Sequence, residues 1–360
     1  MRLIGVVVGT RPEVIKLAPE VERLRAADWC EVVLLPSGQH GPLLERTLAE
    51  CGLSTAEIPP LPPTHPDPAV LVDLLAQRMR HALDRHRPDL VVVHGDTATA
   101  LASARAAVAA GIHVAHVEAG LRTYDLANPF PEELHRQTIA RLASWHFAPT
   151  RAAADNLLRE GVPSDRVFVT GNTIVDSVLG MAPAGDDRGR SEGRHGLVTL
   201  HRRELLPHLQ AVLSGLVSAL DAHGDLSFRL PVHPNPAFGA TIRARLGTHP
   251  RVTLCDPLPY ARFLTHLAHA DLVVTDSGGV QEEACVLGIP LVVARLVTER
   301  QEVLADGRGI VAGLDAEAIA EAIGQALEFD RGTTCFTGPL GDGRASERIE
   351  GLLRDLLARP

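Results

Sequence analysis

The chain has 360 residues, 45% hydrophobic and 22% charged, which suits a soluble globular protein with two buried cores. A net charge of −9 and a pI near 6.0 leave no basic face for nucleic acid, and no apolar run in the sequence approaches the roughly 18–20 residues of a membrane span. The five cysteines show no C-x-x-C spacing, which fits reduced thiols in the cytoplasm and implies no metal site.

Leu3–Val8 is a continuous β-branched run, the pattern of a buried parallel strand. Gly9–Glu13 turns the chain into an amphipathic helix from about Glu13 to Ala26, with Pro12 near its start and Thr10 placed to cap it. Arg11 and Lys16 at that helix start make an anion site, because free N–H groups and the helix dipole point there. Lys16 is the only lysine among 35 basic residues, which suggests a position that needs a compact ammonium. A second strand, Glu31–Pro36, ends at Ser37-Gly38-Gln39-His40, and the proline-rich stretch Pro59–Pro68 reads as a surface loop.

A helix near Ala69–Arg87 precedes a strand at Leu90–Val93 and the turn His94-Gly95-Asp96-Thr97. The Ala-rich helix Ala98–Ala110 and the strand His113–Val117 follow, then a long polar loop bearing Glu118, Arg122, Asp125, Glu132, Glu133 and Arg136. Strands at Trp145–Ala148 and Val167–Thr170 close a doubly wound βαβ series. Met181–His195 lacks periodicity and reads as a linker. The pattern then restarts, with strands at Gly196–Leu200, Ser227–Val232, Val252–Cys255, Leu272–Thr275 and Leu291–Ala294. Helices are expected at about Leu206–Ala222, around Tyr260–Ala268 and from Gly278 to Leu287. The fold class is therefore α/β, two Rossmann-like domains facing a cleft. The expected divisions are 1–172, 173–340 and a C-terminal helix, Ala345–Leu357, within 341–360 that packs back on one of the two domains.

In a parallel sheet the strand C-termini share one edge, so Arg11, Asp96, Glu118 and the loop with Glu132 and Arg136 should converge. Carboxylates gathered in one crevice push one another's pKa values apart, giving an acid and a base for proton transfer at carbon. Asp96 alone could equally cap the helix that follows it. In the second half, Asp276-Ser277-Gly278-Gly279 joins a strand to a helix, a shape that admits a diphosphate, with Glu283 a turn further on in reach of a ribose diol. His201 and His233 also stand at strand ends, where they would contact phosphate. His113 and His116 point to opposite faces of a strand and make no metal pair.

Together these segments resemble the non-hydrolysing UDP-N-acetylglucosamine 2-epimerase family. The likeness runs through GTRPE from Gly9, HGDT from His94, HVEAGLRT from His116, PEE from Pro131, GNT from Gly171, HRRE from His201, DSGGVQEE from Asp276, TER from Thr298 and GDGRA from Gly341. It covers nearly the whole chain. The resemblance implies a glycosyltransferase B-type fold with the nucleotide held mainly by the C-terminal domain, no cofactor and a homodimer. It implies elimination of UDP and the C2 proton to give 2-acetamidoglucal, and re-addition of UDP to give UDP-N-acetylmannosamine. Asp96, Glu118 and Glu132 would be the carboxylates, acid and base unassigned, and His201 would handle the leaving phosphate. Arg11, Lys16, Arg136, His233 and Arg300 would contact the substrate, and Ser277, Gly278, Gly279 and Glu283 the UDP. Gln39 and His40 match the region where many bacterial members bind an activating second UDP-GlcNAc.

The sequence departs from the family pattern at His135, where asparagine is usual, at Leu205, again for asparagine, and at Gly41, for arginine. For the last reason, and because the proline-rich Pro59–Pro68 stands where a D-Y-D-L-like segment is usual, we expect allosteric activation to be weak or absent; a strongly sigmoidal rate against UDP-GlcNAc would overturn that. Rival readings are a hydrolysing 2-epimerase, a retaining glycosyltransferase on the same fold, and a nucleotide-sugar-binding sensor without catalysis. His135 and Leu205 favour the sensor, and retention of the three carboxylates counts against it.

Overall fold

The computed structural model describes residues 1–55, 67–182, 193–305, 307–329 and 338–358. The proline-rich stretch up to residue 66, most of the expected linker and Cys335 lie outside them. The chain divides into two compact units, Met1–Ser177 with Gly341–Pro360, and Val178–Leu340.

The first unit runs β1 (Arg2–Val8), α1 (Arg11–Ala26), β2 (Cys30–Pro36), α2 (Gly41–Glu50), α3 (Pro68–His86), β3 (Leu90–His94), α4 (Ala98–Ala109), β4 (His113–Val117), α5 (Glu132–Leu142), β5 (Trp145–Ala148), α6 (Arg151–Arg159), β6 (Val167–Val169) and the start of α7 (Thr173–Met181). Its six strands are parallel, in the order β2-β1-β3-β4-β5-β6. The apolar runs of β1 and β3 are buried because helices cover both faces of such a sheet. Alanine on α4 lets that helix sit close to α3, and the pair encloses Leu75, Met79, Leu83, Ala102 and Ala106 in one core.

The second unit runs β7 (Arg194–Thr199), α8 (Leu209–Ala222), β8 (Leu226–Pro231), α9 (Pro236–Leu246), β9 (Val252–Cys255), α10 (Tyr260–His269), β10 (Leu272–Thr275), α11 (Gly278–Val286), β11 (Leu291–Val293), β12 (Gly309–Val311) and α12 (Ala316–Leu327). It too has six parallel strands, ordered β12-β11-β10-β7-β8-β9. The helix expected from Leu206 begins later, because Arg203–His208 forms a 3-10 turn containing Pro207. That stretch, Arg203–Ala222, is by length and composition alone apolar enough to cross a membrane, contrary to the expectation from sequence. Its Leu209, Val212, Leu213, Leu216 and Leu220 nevertheless fill this unit's core. α2, α7, α9, α12 and β12 were not anticipated, although Asn235 before Pro236 is a plain helix start whose side chain accepts from the Ala237 N–H at 3.0 Å.

The chain then returns to the first unit through α13 (Ala345–Leu357). Asp176 on α7 accepts the first N–H groups of this helix, from Ala345 at 3.2 Å and Ser346 at 2.9 Å, and Trp29 donates to Glu350 at 2.7 Å. The division between units falls after Ser177, inside α7, rather than at residue 172. The Ser177 hydroxyl donates to the Ile15 carbonyl at 2.7 Å, which docks the first turns of α7 on α1.

Candidate active site

In each sheet the strand order reverses at one point, and an open crevice forms there at the strand C-termini. In the first unit this point lies between β1 and β3, so the turns Gly9–Arg11 and His94–Thr97 line it, with the turn after β4 beside them.

Glu118 leaves β4 with a positive φ of 59°, a left-handed conformation that costs a non-glycine residue about 1–2 kcal/mol. This turn sends its side chain toward α1, where it forms a buried ion pair with Lys16. Asn172 donates to the same carboxylate at 3.4 Å and His94 Nε2 lies 3.7 Å from it. Arg11 occupies the first turn of α1, and Thr10 caps that helix. Gly9 is required for space, since a Cβ there would stand 2.0 Å from Thr99 Oγ1 and 2.3 Å from Ser37 Oγ. Gln39 is drawn into the same cluster and accepts from Thr99 Oγ1 at 2.7 Å, whereas His40 is exposed.

Asp96 is paired with Arg136 of α5, a guanidinium only 3% exposed. It does not cap α4; Thr97 does, accepting from the Ala100 N–H at 3.0 Å, because the cap position falls one residue later. His135 stands against the Asp96 carbonyl, Nδ1 to oxygen 2.9 Å, so the residue that departs from the family pattern still secures this turn. His116 does so from below. Burial pulls it down to about 4, so it is neutral at pH 7 and its Nε2–H donates to the Gly95 carbonyl at 2.8 Å.

Glu132 is the first residue of α5, whereas Glu133 is fully buried and accepts the N–H groups of Thr123 and Tyr124 at 3.0 and 3.1 Å. Glu133 is thus a structural carboxylate that shapes the loop in front of Glu132. Arg122 does similar work through a bidentate pair with Glu160 at 2.7 and 2.8 Å. Asp125 lies exposed and bonds only within its own turn among the described residues.

In the second unit the order reverses between β7 and β10, and the crevice there is lined by His201 and by Asp276-Ser277. The register Thr199↔Thr275 brings these two turns level. Asp276 Oδ1 lies 2.9 Å from His201 Nδ1, and Oδ2 accepts the N–H groups of His201 and Arg202, each at 2.8 Å. Burial raises the Asp276 pKa, but the His201 contact and the two N–H donors outweigh it and hold this carboxyl below its usual range. His233 follows β8, its ring 6.2 Å from that of His201.

Ser277 caps α11, and the N-terminal turn of that helix carries Gly278 and Gly279. A Cβ on Gly278 would press against the Arg300 guanidinium at 3.0 Å, while one on Gly279 would meet only Ser277 Oγ at 4.0 Å. Glu283 accepts the Tyr260 hydroxyl at 3.0 Å. Arg300 pairs with Glu282 at 2.9 Å and Glu299 at 2.8 Å, which ties the loop after β11 to α11. Burial opposes the charge on Glu299, but Arg300, Arg295 and Arg202 hold its pKa at about 2.

A protein-family model described as UDP-N-acetylglucosamine 2-epimerase matches residues 22–354. The chain belongs to that family. It is 36% identical to the UDP-N-acetylglucosamine 2-epimerase of Escherichia coli K12 over 97% of both chains. Among solved structures, the S. aureus MnaA–UDP co-structure superposes with a TM-score of 0.90 at 33% identity, covering 99% of this chain and 97% of that one. The Neisseria meningitidis UDP-GlcNAc 2-epimerase bound to UDP-GlcNAc gives 0.84 at 31% identity, with both chains covered in full. As a UDP-N-acetylglucosamine 2-epimerase the chain is an isomerase, with two parallel-sheet α/β domains of glycosyltransferase B type.

In this 2-epimerase the first unit gathers Lys16, Asp96, Glu118 and Arg136 into two ion pairs, with Arg11 and Glu132 on adjoining helix starts. The second unit gathers His201, His233 and Ser277 around Asp276. Sequence reading passed over three partners, Asp276 of His201 and the Asn172 and His94 that flank Glu118. Their roles depend on which strands are neighbours, and no local signal carries that. Leu205 needs no polar role, since it is buried in the second unit's core. Among the described residues no group of three His, Cys, Asp or Glu side chains gathers as a metal site.

Proposed function

We propose that this chain interconverts UDP-N-acetylglucosamine and UDP-N-acetylmannosamine without hydrolysis. UDP leaves C1 as the C2 proton is removed, giving 2-acetamidoglucal, and UDP adds back with a proton delivered to the opposite face of C2. Bonds and charges balance without an oxidant, so the reaction calls for no nicotinamide. The observation that carries the reading is the first unit's crevice, where Asp96 and Glu118 are each joined to a nearly buried cation. Such pairing fixes the carboxylates in direction, and geometry is the first requirement for proton transfer at carbon. Asp96, Glu118 and Glu132 supply the acid and base, with Arg11, Lys16 and Arg136 as the substrate-facing cations.

In the second unit, the Asp276 carboxylate 2.9 Å from His201 Nδ1 orients the ring and leaves Nε2 to donate to the departing diphosphate. His233 lies beside it, and its Nδ1 accepts from the Asn235 N–H at 3.2 Å. The N–H groups at the start of α11, around Ser277, Gly278 and Gly279, suit the diphosphate, and Glu283, steadied by Tyr260, suits a ribose hydroxyl. Arg300 supports that helix start through Glu282. Binding of UDP-GlcNAc by the Neisseria meningitidis relative supports the choice of substrate.

The test is incubation with UDP-GlcNAc in heavy water, following C2 deuteration and the anomeric signal of UDP-ManNAc by proton NMR. We expect both to appear. Accumulation of free N-acetylmannosamine with UDP would replace this reading with the hydrolysing one, and C2 left undeuterated would remove the elimination mechanism. Asp96→Asn, Glu118→Gln and Glu132→Gln should each abolish C2 exchange and spare UDP binding.

A further inference from the structure

Glu13 sits in the third position of α1, where a glutamate commonly reaches back to the cap residue's N–H and remains at the surface. Here it is 1% exposed and collects four donors. Oε2 accepts the Gly9 N–H at 2.8 Å, the Thr10 N–H at 2.7 Å and the Thr10 hydroxyl at 3.0 Å. Oε1 accepts the Thr97 hydroxyl at 2.5 Å, from the turn after β3. A helix cap has no use for that fourth bond, which spans the point where the strand order reverses, and Thr97 is the residue after Asp96. Burial pushes the Glu13 carboxyl up to about 7, and the four donors work against that rise. An acid kept dry at such a cost, against donors from two different turns, points to a task beyond starting α1.

We infer that Glu13 is a positioning residue for the epimerisation: it staples the Gly9–Arg11 turn to the His94–Thr97 turn and thereby sets where Asp96 stands relative to the sugar. The inference rests on Asp96 acting on the substrate as proposed above. His135 and Arg136 hold the same turn from α5, so the staple fixes the side that α5 does not reach. Glu13→Gln keeps the size but replaces one acceptor oxygen by an amide donor, so Thr97, which already accepts the Ala100 N–H, can keep the tie only by accepting from the amide in a weaker, neutral hydrogen bond.

Two readouts on the full chain test this. Hydrogen–deuterium exchange measured on peptides covering His94–Leu101 needs no activity. Glu13→Gln and Thr97→Val should both speed exchange there, and unchanged protection in both would overturn the staple. Thr97→Val cuts the tie from the other side and leaves the start of α1 intact, but it also removes the α4 cap. Thr97→Asp, which keeps an acceptor for the Ala100 N–H and has no proton for Glu13, separates the two losses and serves if Glu13→Gln fails to fold. In the C2-exchange assay each variant should lose kcat by about tenfold to a hundredfold, the usual result of displacing a reacting group by about 1 Å. KM should stay within about threefold of wild type, and the double variant should be no slower than the slower single one. Thr97→Ser should recover most of the rate. A purely structural role would give wild-type kcat in folded variants, or single losses that multiply in the double variant, and either result would overturn the inference. Wild-type protein that fails to exchange C2 would refute the proposed function, while the protection measurement would still decide the staple.

Discussion

Replacing Lys16 by methionine removes the cation from a pair whose side chains are 3% and 7% exposed and leaves the Glu118 carboxylate buried beside an apolar group of similar volume. Removing one partner of such a pair costs about 3–5 kcal/mol, because the remaining charge has lost both water and counter-charge. Asn172, donating at 3.4 Å, softens that loss, so the lower end of the range is expected. Lys16→Met with Glu118→Gln leaves neither member of the pair charged, and the double variant should return to within about 1 kcal/mol of wild type. Both tryptophans, Trp29 and Trp145, lie in the first unit, so tryptophan fluorescence follows the unfolding of the unit that holds the pair. With a urea dependence of about 2–3 kcal/mol per molar, the single variants should unfold about 1–2 M earlier than wild type. If Lys16→Met left the midpoint in place, or if the double variant were as unstable as the two losses added, the pair would not be the buried, mutually dependent unit described here.

Asp276→Asn should lower kcat about 5- to 30-fold, the equivalent of about 1–2 kcal/mol, with UDP affinity little changed. A charge-assisted hydrogen bond is worth somewhat more, and the figure is discounted because His201 is 41% exposed. An unaltered kcat would show that Asp276 does not orient His201. Glu20, fully buried on α1 with neither carboxylate oxygen bonded among the described residues, has its pKa raised well above the normal value by burial, then by Asp176 and Glu350. The unfolded chain therefore ionises Glu20 at lower pH than the folded one. This residue's contribution to stability is fullest below the ordinary glutamate range and falls as pH rises through it toward the folded pKa. Glu20→Gln should accordingly gain stability over wild type at pH 8 and lose that advantage near pH 4. Parallel urea midpoints at the two pH values would refute the buried neutral acid.

Much of the candidate site was legible because strand-end polar residues in an α/β chain are conspicuous. Leu3–Val8, Leu90–Val93 and Leu272–Thr275 are short apolar runs, each followed at once by the groups that matter. Their β-branched composition, with glycine or aspartate behind, determined strands, turns and the two sheet edges, one on which Arg11, Asp96 and Glu118 would gather and one for His201 and Ser277. The division of labour between neighbouring carboxylates was partly readable too: the family pattern leaves Glu133 out of the three carboxylates, and Glu133 accepts two backbone N–H groups.

What the tertiary structure decided is which of these residues hold one another. The order β2-β1-β3 sets Glu13 against Thr97, and β10 beside β7 sets Asp276 against His201, 84 and 75 residues apart in sequence. Hydrophobic periodicity is a property of each strand alone. It says which face is buried but not which strand lies alongside, and long-range hydrogen bonds follow from the second. The sole lysine was conspicuous as a composition fact, and the need for its ammonium became clear only with Glu118 turned toward it by a positive φ.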